Sequence, residues 1–252
     1  MADKLFVLPE LELRVMFHVK HHIAALSPAD TLLVVAGGRG PKTDWLHSVS
    51  SGKKIYCADR GAEYCLAAGC VPAELFGDCD SSSQAVYRQA RAAGTVVHSF
   101  NPAKDDTDLQ LLLHNLPEGD ILASGIWGGR FDHLYSNVYT LLGVKKQRDC
   151  RVILADDKEF MLLLTAGESV ELKLQAAAEA VSLLPLSDST TVDFTGVRWP
   201  LQQATLRQLY PYAISNEVLE GAEKICCTCH SGALGLYIRW AEGSKQLKVN
   251  SV

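Results

Sequence analysis

Gly77-Asp78-Cys79-Asp80-Ser81 sets two carboxylates two residues apart, directly after an apolar run from Ala73 to Phe76. Residues i and i+2 of an extended chain share a side, so Asp78 and Asp80 can face one point at the end of a strand. Carboxylates that close repel each other unless a proton or a cation stands between them. Mg²⁺ suits the gap, because it is hard, prefers oxygen and is often held by one or two carboxylates together with substrate phosphates. A plain turn, with Ser81 to Ser83 capping a helix, is the structural alternative. A second acidic cluster, Lys104-Asp105-Asp106-Thr107-Asp108, leads into a helical stretch. Asp105 and Asp108 are three apart and share a face of the first turn. Thr107 or Asp106 is suited to cap that helix, and Lys104 offers a point charge to a phosphate. Together the two clusters make a multi-carboxylate Mg²⁺ site.

The third element is Gly125-Ile126-Trp127-Gly128-Gly129-Arg130-Phe131-Asp132-His133. Gly128 and Gly129 let backbone N–H groups approach an anion, and the helix that follows adds its positive end. Arg130 presents a fork matched to phosphate oxygens. Gly37-Gly38, after an earlier apolar run, is a weaker signal of the same kind. No G-x-x-x-x-G-K-[ST] occurs anywhere, so this is not a Walker A loop. His133 would stand in the first turn of a helix, where a cationic imidazole is disfavoured, so a neutral hydrogen-bonding role competes with a catalytic one.

These residues need elements to position them. Buried-strand runs at Thr31 to Ala36, Lys54 to Ala58, Ala73 to Gly77, Thr95 to Ser99, Asp120 to Ser124 and Arg151 to Ala155 are separated by helical stretches at Gly61 to Ala68, Gln84 to Ala93, Thr107 to Asn115 and Asp132 to Gly143. That alternation predicts an α/β domain with a parallel sheet and helices on both faces. Ligands of such sheets bind at the carboxyl ends of strands, where Asp59, Asp78 and the Gly125 loop all fall. Beyond Asp156-Asp157 short strand-like runs separated by Gly and Asp predict a small antiparallel β-sandwich. The expected domains are 31–156 (α/β) and 157–252 (all-β), with 1–30 an N-terminal extension of unassigned role.

The 252 residues are 48% hydrophobic and 21% charged, an ordinary globular composition. A formal net charge of -5 with scattered Lys and Arg argues against a nucleic-acid partner. No run reaches the ~20 apolar residues of a membrane helix. Asp3, Glu10, Glu12 and Arg14 interrupt the stretch where a signal peptide needs an apolar core, so a cytoplasmic address is expected. The 8 cysteines are then read as free thiols. Cys226-Cys227-Thr228-Cys229-His230 matches the spacing of a haem-attachment pattern. It reads as a strand, however, with Cys226 and Cys229 on opposite sides, and is expected to be a buried strand.

Taken in order, Asp59-Arg60-Gly61-Ala62, Gly77 to Ser81, Lys104 to Asp108, and Gly128 to His133 with Asn137 resemble the thiamine pyrophosphokinase family. Gly196 to Leu201 and Ser215-Asn216-Glu217 are similar to its thiamine-side motifs. The resemblance spans about residues 31–240. It implies a Rossmann-like α/β domain followed by a β-sandwich, acting as a homodimer with the active site at the subunit interface. It implies Mg²⁺-dependent transfer of the terminal pyrophosphoryl group of ATP to the thiamine hydroxyl, leaving AMP. The metal aspartates would be Asp78, Asp80 and Asp108. The nucleotide side would use Asp59, Thr107, Arg130 and Asp132, joined by Gly37, Lys104, Gly128, Gly129 and Asn137. The thiamine pocket would use Trp199, Ser215 and Asn216, with Trp199 stacking on the pyrimidine or lying over the cationic thiazolium. Asp132 or Asp105 would accept the hydroxyl proton. Arg60 stands where the family usually has glycine. Two other readings share these residues: a Mg²⁺-dependent hydrolase of nucleotides or thiamine phosphates, and a nucleotide- or thiamine-binding regulator without turnover.

Overall fold

The structure, a computed structural model, describes residues 4–17, 31–77, 84–100, 105–148 and 150–242. Two compact units divide the chain, Ser27–Asp157 in one and Met1–Leu26 with Lys158–Val252 in the other. Strands β1 (Lys4–Leu8) and β2 (Leu11–Phe17) come first. Then follow β3 (Thr31–Val35), α1 (Thr43–Ser50), β4 (Lys54–Ala58), α2 (Gly61–Ala67), β5 (Glu74–Gly77), α3 (Gln84–Ala92) and β6 (Val96–Ser99). The first unit closes with α4 (Asp108–Asn115), β7 (Asp120–Ser124), α5 (Phe131–Arg148) and β8 (Val152–Ala155). The remaining strands are β9 (Glu159–Thr165), β10 (Glu168–Leu174), β11 (Ala178–Pro185), β12 (Ser189–Thr195), β13 (Leu201–Arg207), β14 (Ile225–Ser231) and β15 (Ala233–Trp240).

In the α/β unit six strands pair in parallel in the order β8-β7-β3-β4-β5-β6. Every residue of β3, β7 and β8 is buried, which is why these runs are apolar without alternation. From β3 the chain steps to β4 on one side, and β7 later pairs with its other side. The sheet therefore changes direction between β3 and β7, the place where such sheets open a crevice at their carboxyl ends. At the opposite end Asp120 and Arg151 lock β7 to β8: Arg151 N donates to Asp120 Oδ1 at 2.8 Å, and the buried guanidinium makes a bidentate pair with Oδ2.

The β-rich unit carries an antiparallel sheet ordered β1-β2-β10-β14-β12-β13. A second antiparallel set, β11-β15-β9, packs against it through β9 and β15. The N-terminal strands thus have a place, because β2 pairs along the whole length of β10. In β14 Ile225, Cys227 and Cys229 turn inward, while Cys226 is half-buried and His230 is exposed. Burial pushes the Cys227 thiol up, as expected of a strand facing a core. Among the described residues the cysteines are free thiols. No helix among the described residues is long and apolar enough to cross a membrane.

Three local departures from the sequence reading have physical causes. α1 forms in a stretch for which the sequence predicts no element, burying Trp45, Leu46 and Val49 from an otherwise polar octapeptide. α5 does not stop at Gly143: Lys145 donates to Cys150 O at 3.2 Å, and Arg148 donates to Leu116 O at 3.0 Å and Leu113 O at 2.8 Å, so its last turn is anchored. β13 is not among the predicted strands; it buries little beyond Leu206, so it lacks the alternation that marks a strand.

Candidate active site

A cavity of about 510 Å³ lies in the α/β unit at the carboxyl ends of its strands. Its walls come from segments far apart in sequence. Gly37 and Gly38 follow β3, Asp59 and Arg60 follow β4, Asp106 to Leu109 open α4, and Ile126 with Gly128 to Arg130 lie between β7 and α5. His133 and Asn137, four apart on α5, face it together.

The two glycine loops are tied to each other. Ala36 N donates to Ser124 O at 2.8 Å, Gly38 N to Gly125 O at 2.7 Å and Arg39 N to Trp127 O at 2.5 Å. This extends the β3–β7 pairing beyond the strands. The approach is so close that a Cβ on Gly38 would stand 2.5 Å from Gly125 O and 2.8 Å from Trp127 O. Gly128 and Gly129 have φ of 69° and 70°, a left-handed pair that only glycine adopts without strain. Arg39 carries the tie outward: its Nε and Nη2 donate to the buried Asp156 carboxylate at 3.0 and 2.7 Å. From the other side the Tyr64 hydroxyl donates to Gly38 O at 2.7 Å. Neither Arg39, Asp156 nor Tyr64 stood out in the sequence, because their contacts lie 117 and 26 residues away along the chain.

Thr107 is the cap of α4. Its hydroxyl accepts from Gln110 N at 3.2 Å, and its own N–H donates to Gln110 Oε1 at 2.8 Å, a reciprocal capping box. That cap fixes Asp108 as the first helical residue, where a carboxylate is favoured and where it lines the cavity. Asp105 is exposed and does not line it. Asp132 is also exposed, and it makes a bidentate pair with Arg130 at 3.1 and 2.5 Å. The Arg130 guanidinium holds the Asp132 carboxyl below the usual carboxylate range, and Asp132 in turn raises Arg130. Such a carboxylate orients the guanidinium well and is a weak base. Asp78, Asp80 and Lys104 lie outside the described residues. Among the described residues no group of three or more His, Cys, Asp and Glu side chains is placed to hold a metal ion.

The thiamine-side residues named from sequence lie in the β-rich unit and touch one another. Asn216 is buried and acts as a staple: Oδ1 accepts from Trp199 N at 3.1 Å and Glu217 N at 2.9 Å, and Nδ2 donates to Trp199 O at 2.8 Å. Its backbone pairs with Val181 of β11. Trp199 thereby stands out from the surface, 53% exposed. The Arg198 guanidinium lies 5.0 Å from its ring centroid and pairs with Glu217 at 2.8 Å. Ser215, with its N–H on Ser182 Oγ at 3.0 Å, has φ of 56°. Asp59 at the cavity has φ of 50°. Non-glycine residues held in this region cost about 1–3 kcal/mol and cluster at functional sites.

Comparison with known proteins places both units. Residues 46–154 match the family model for the catalytic domain of thiamin pyrophosphokinase, and residues 169–234 match that for its vitamin B1 binding domain. A thiamine pyrophosphokinase of Bacillus subtilis (strain 168) is 30% identical over 195 residues, 75% of this chain and 90% of that protein. Thiamine pyrophosphokinase 2 of Oryza sativa subsp. japonica is 27% identical over 169 residues, 62% of this chain and 61% of that one. The crystal structure of the Bacillus subtilis enzyme superposes with a TM-score of 0.72 at 26% identity, covering 84% of this chain and 99% of that one. Thiamin pyrophosphokinase from Candida albicans shares the fold, with a TM-score of 0.70 at 16% identity over 91% of this chain and 99% of that one.

Proposed function

The chain belongs to the thiamine pyrophosphokinase family, and from that premise we propose how it transfers the pyrophosphoryl group of ATP to the hydroxyl of thiamine, giving thiamine diphosphate and AMP. One observation carries the assignment of parts. Segments after four different strands converge on a single cavity in the unit that matches the catalytic domain. The nucleotide occupies that cavity. Gly128, Gly129 and Arg130 hold its phosphates, with Gly37 beside them. Asp59, Thr107, Lys104 and Asn137 complete the nucleotide contacts. The unit itself is then a Rossmann-like α/β domain.

The metal carboxylates are Asp78, Asp80 and Asp108. Asp108 lines the cavity, and Asp78 directly follows Gly77, the last residue of β5. An all-carboxylate donor set is the chemistry of a hard cation such as Mg²⁺. Bound there, the ion would neutralise charge that develops on the phosphate oxygens. Arg130 adds a fork to the same oxygens, and Asp132 keeps that fork oriented. The pair with Arg130 makes Asp132 a poor acceptor for the hydroxyl proton, and Asp105, the other carboxylate for that role, does not line the cavity.

Thiamine is held by Trp199, Ser215 and Asn216, with Trp199 presenting its open face to the cationic ring. Asn216 acts by holding Trp199 in place. The enzyme works as a homodimer with the active site at the subunit interface. Exposed Phe131 and Tyr135 on α5, and exposed Tyr210, Tyr212 and Ile214 near the thiamine residues, support such a contact.

Asp78→Asn and Asp108→Asn test the core of this reading. Each is expected to lower kcat by at least about a hundredfold, with the fold retained by circular dichroism and with no rescue by excess Mg²⁺. Wild-type turnover in either variant would remove that residue from the metal set.

A further inference from the structure

Arg60 lines the cavity, yet none of the roles above uses it. It follows Asp59 at the end of β4 and precedes α2. Its side chain is 53% exposed, and among the described residues the carboxylate paired with it, Glu63, stands at 3.8 Å from Nε, beyond hydrogen-bond length. The guanidinium lies 5.9 Å from the centroid of the Tyr64 ring. Tyr64 is not a loose support, because its hydroxyl is fixed to Gly38 O across the cavity wall. Arg60 is therefore a cation resting on an anchored ring, and among the described residues its hydrogen-bond donors are uncommitted to a carboxylate.

Charge gives that cation a task. Asp59, Asp106 and Asp108 line the same cavity, so an anionic ligand meets three carboxylates there. Among the described residues the Arg and Lys side chains that line it are Arg60 and Arg130. Arg130 already spends two donors on Asp132. We propose that Arg60 is a second binding cation for the polyphosphate chain of the nucleotide, gripping it from the end of β4 while Arg130 holds it from the β7–α5 loop. It then reads the number of phosphates and not the base. The inference rests on the cavity being the nucleotide site.

Binding of ATP, ADP, AMP and adenosine, each with Mg²⁺, should be measured by calorimetry on the wild-type enzyme and on Arg60→Ala, Arg60→Gln and Arg60→Lys. Charge-assisted hydrogen bonds to phosphate predict a loss of roughly tenfold or more for ATP in Arg60→Ala and Arg60→Gln. The loss should shrink through ADP and AMP and vanish for adenosine. Arg60→Lys should recover part of the ATP affinity, and the thiamine KM should not move in any variant. Equal losses across the four ligands would overturn the proposal, as would unchanged ATP binding in Arg60→Ala. A wild-type enzyme that bound no ATP would overturn the nucleotide site itself, a result distinct from an Arg60 variant that binds normally.

Discussion

Trp199 is held at its backbone by a single side chain. Asn216 uses its amide to bracket the Trp199 backbone from both ends, and the aromatic ring stands exposed to solvent. Arg198 rests at 5.0 Å on that ring, which shows that the ring can take a cation. Trp199→Ala is expected to raise the thiamine KM about tenfold while leaving the ATP KM unchanged, the size of a partly desolvated cation–π contact. Steady-state kinetics with each substrate varied in turn will check it. An unchanged thiamine KM would assign Trp199 to packing alone. At this scale the sequence was readable where chemistry is local. The paired glycines at 128 and 129 and the cap at Thr107 announce themselves within five residues, while Asp78 and Asp80 lie outside the described residues. The staple role of Asn216 is not readable, because its partner is 17 residues away and nothing in the segment between marks the meeting.

At the scale of elements the cavity depends on two loops being zipped together beyond the ends of β3 and β7. Their hydrogen bonds leave no room for a side chain at Gly38. Gly38→Ala must push the loops apart, since the atoms it meets are backbone oxygens that cannot rotate away. The expected result is a tenfold or greater rise in the ATP KM with a stability loss of about 1–3 kcal/mol. Asp120→Asn is the contrasting variant. It breaks a buried pair at the far end of the same strands and should cost about 3–5 kcal/mol while leaving both KM values alone. Kinetics and thermal denaturation on the two variants separate the site from its scaffold; a shared pattern would mean that the loop tie has no special bearing on nucleotide binding. The strands themselves were legible from apolar runs such as those of β3 and β7. The helix α1 was not, because its three inward residues are diluted by Asp44, His47 and serines. Gly143 misled in the opposite direction: glycine often ends a helix, but here Lys145 and Arg148 anchor the turn that follows it.

For the whole molecule, the change from helices to short strands near residue 157 was visible in the sequence, and the structure divides there as well. The placement of the first strands was hidden, because β2 joins β10 from more than 150 residues away and only tertiary pairing reveals it. If the active site is shared between subunits, two defective chains should complement each other. Mixing Asp78→Asn with Trp199→Ala protomers under conditions of subunit exchange is expected to yield turnover at the wild-type thiamine KM, which neither variant shows alone, and an absence of that low-KM activity would mean that each chain carries a self-sufficient site. The account stands most directly on where the phosphorus goes. Wild-type enzyme should be given ATP labelled at the β-phosphorus, together with Mg²⁺ and thiamine. The account predicts that the label appears in thiamine diphosphate, that unlabelled AMP forms in equal amount, and that neither forms when thiamine is withheld. Label released as ADP or inorganic pyrophosphate at the same rate without thiamine would contradict it.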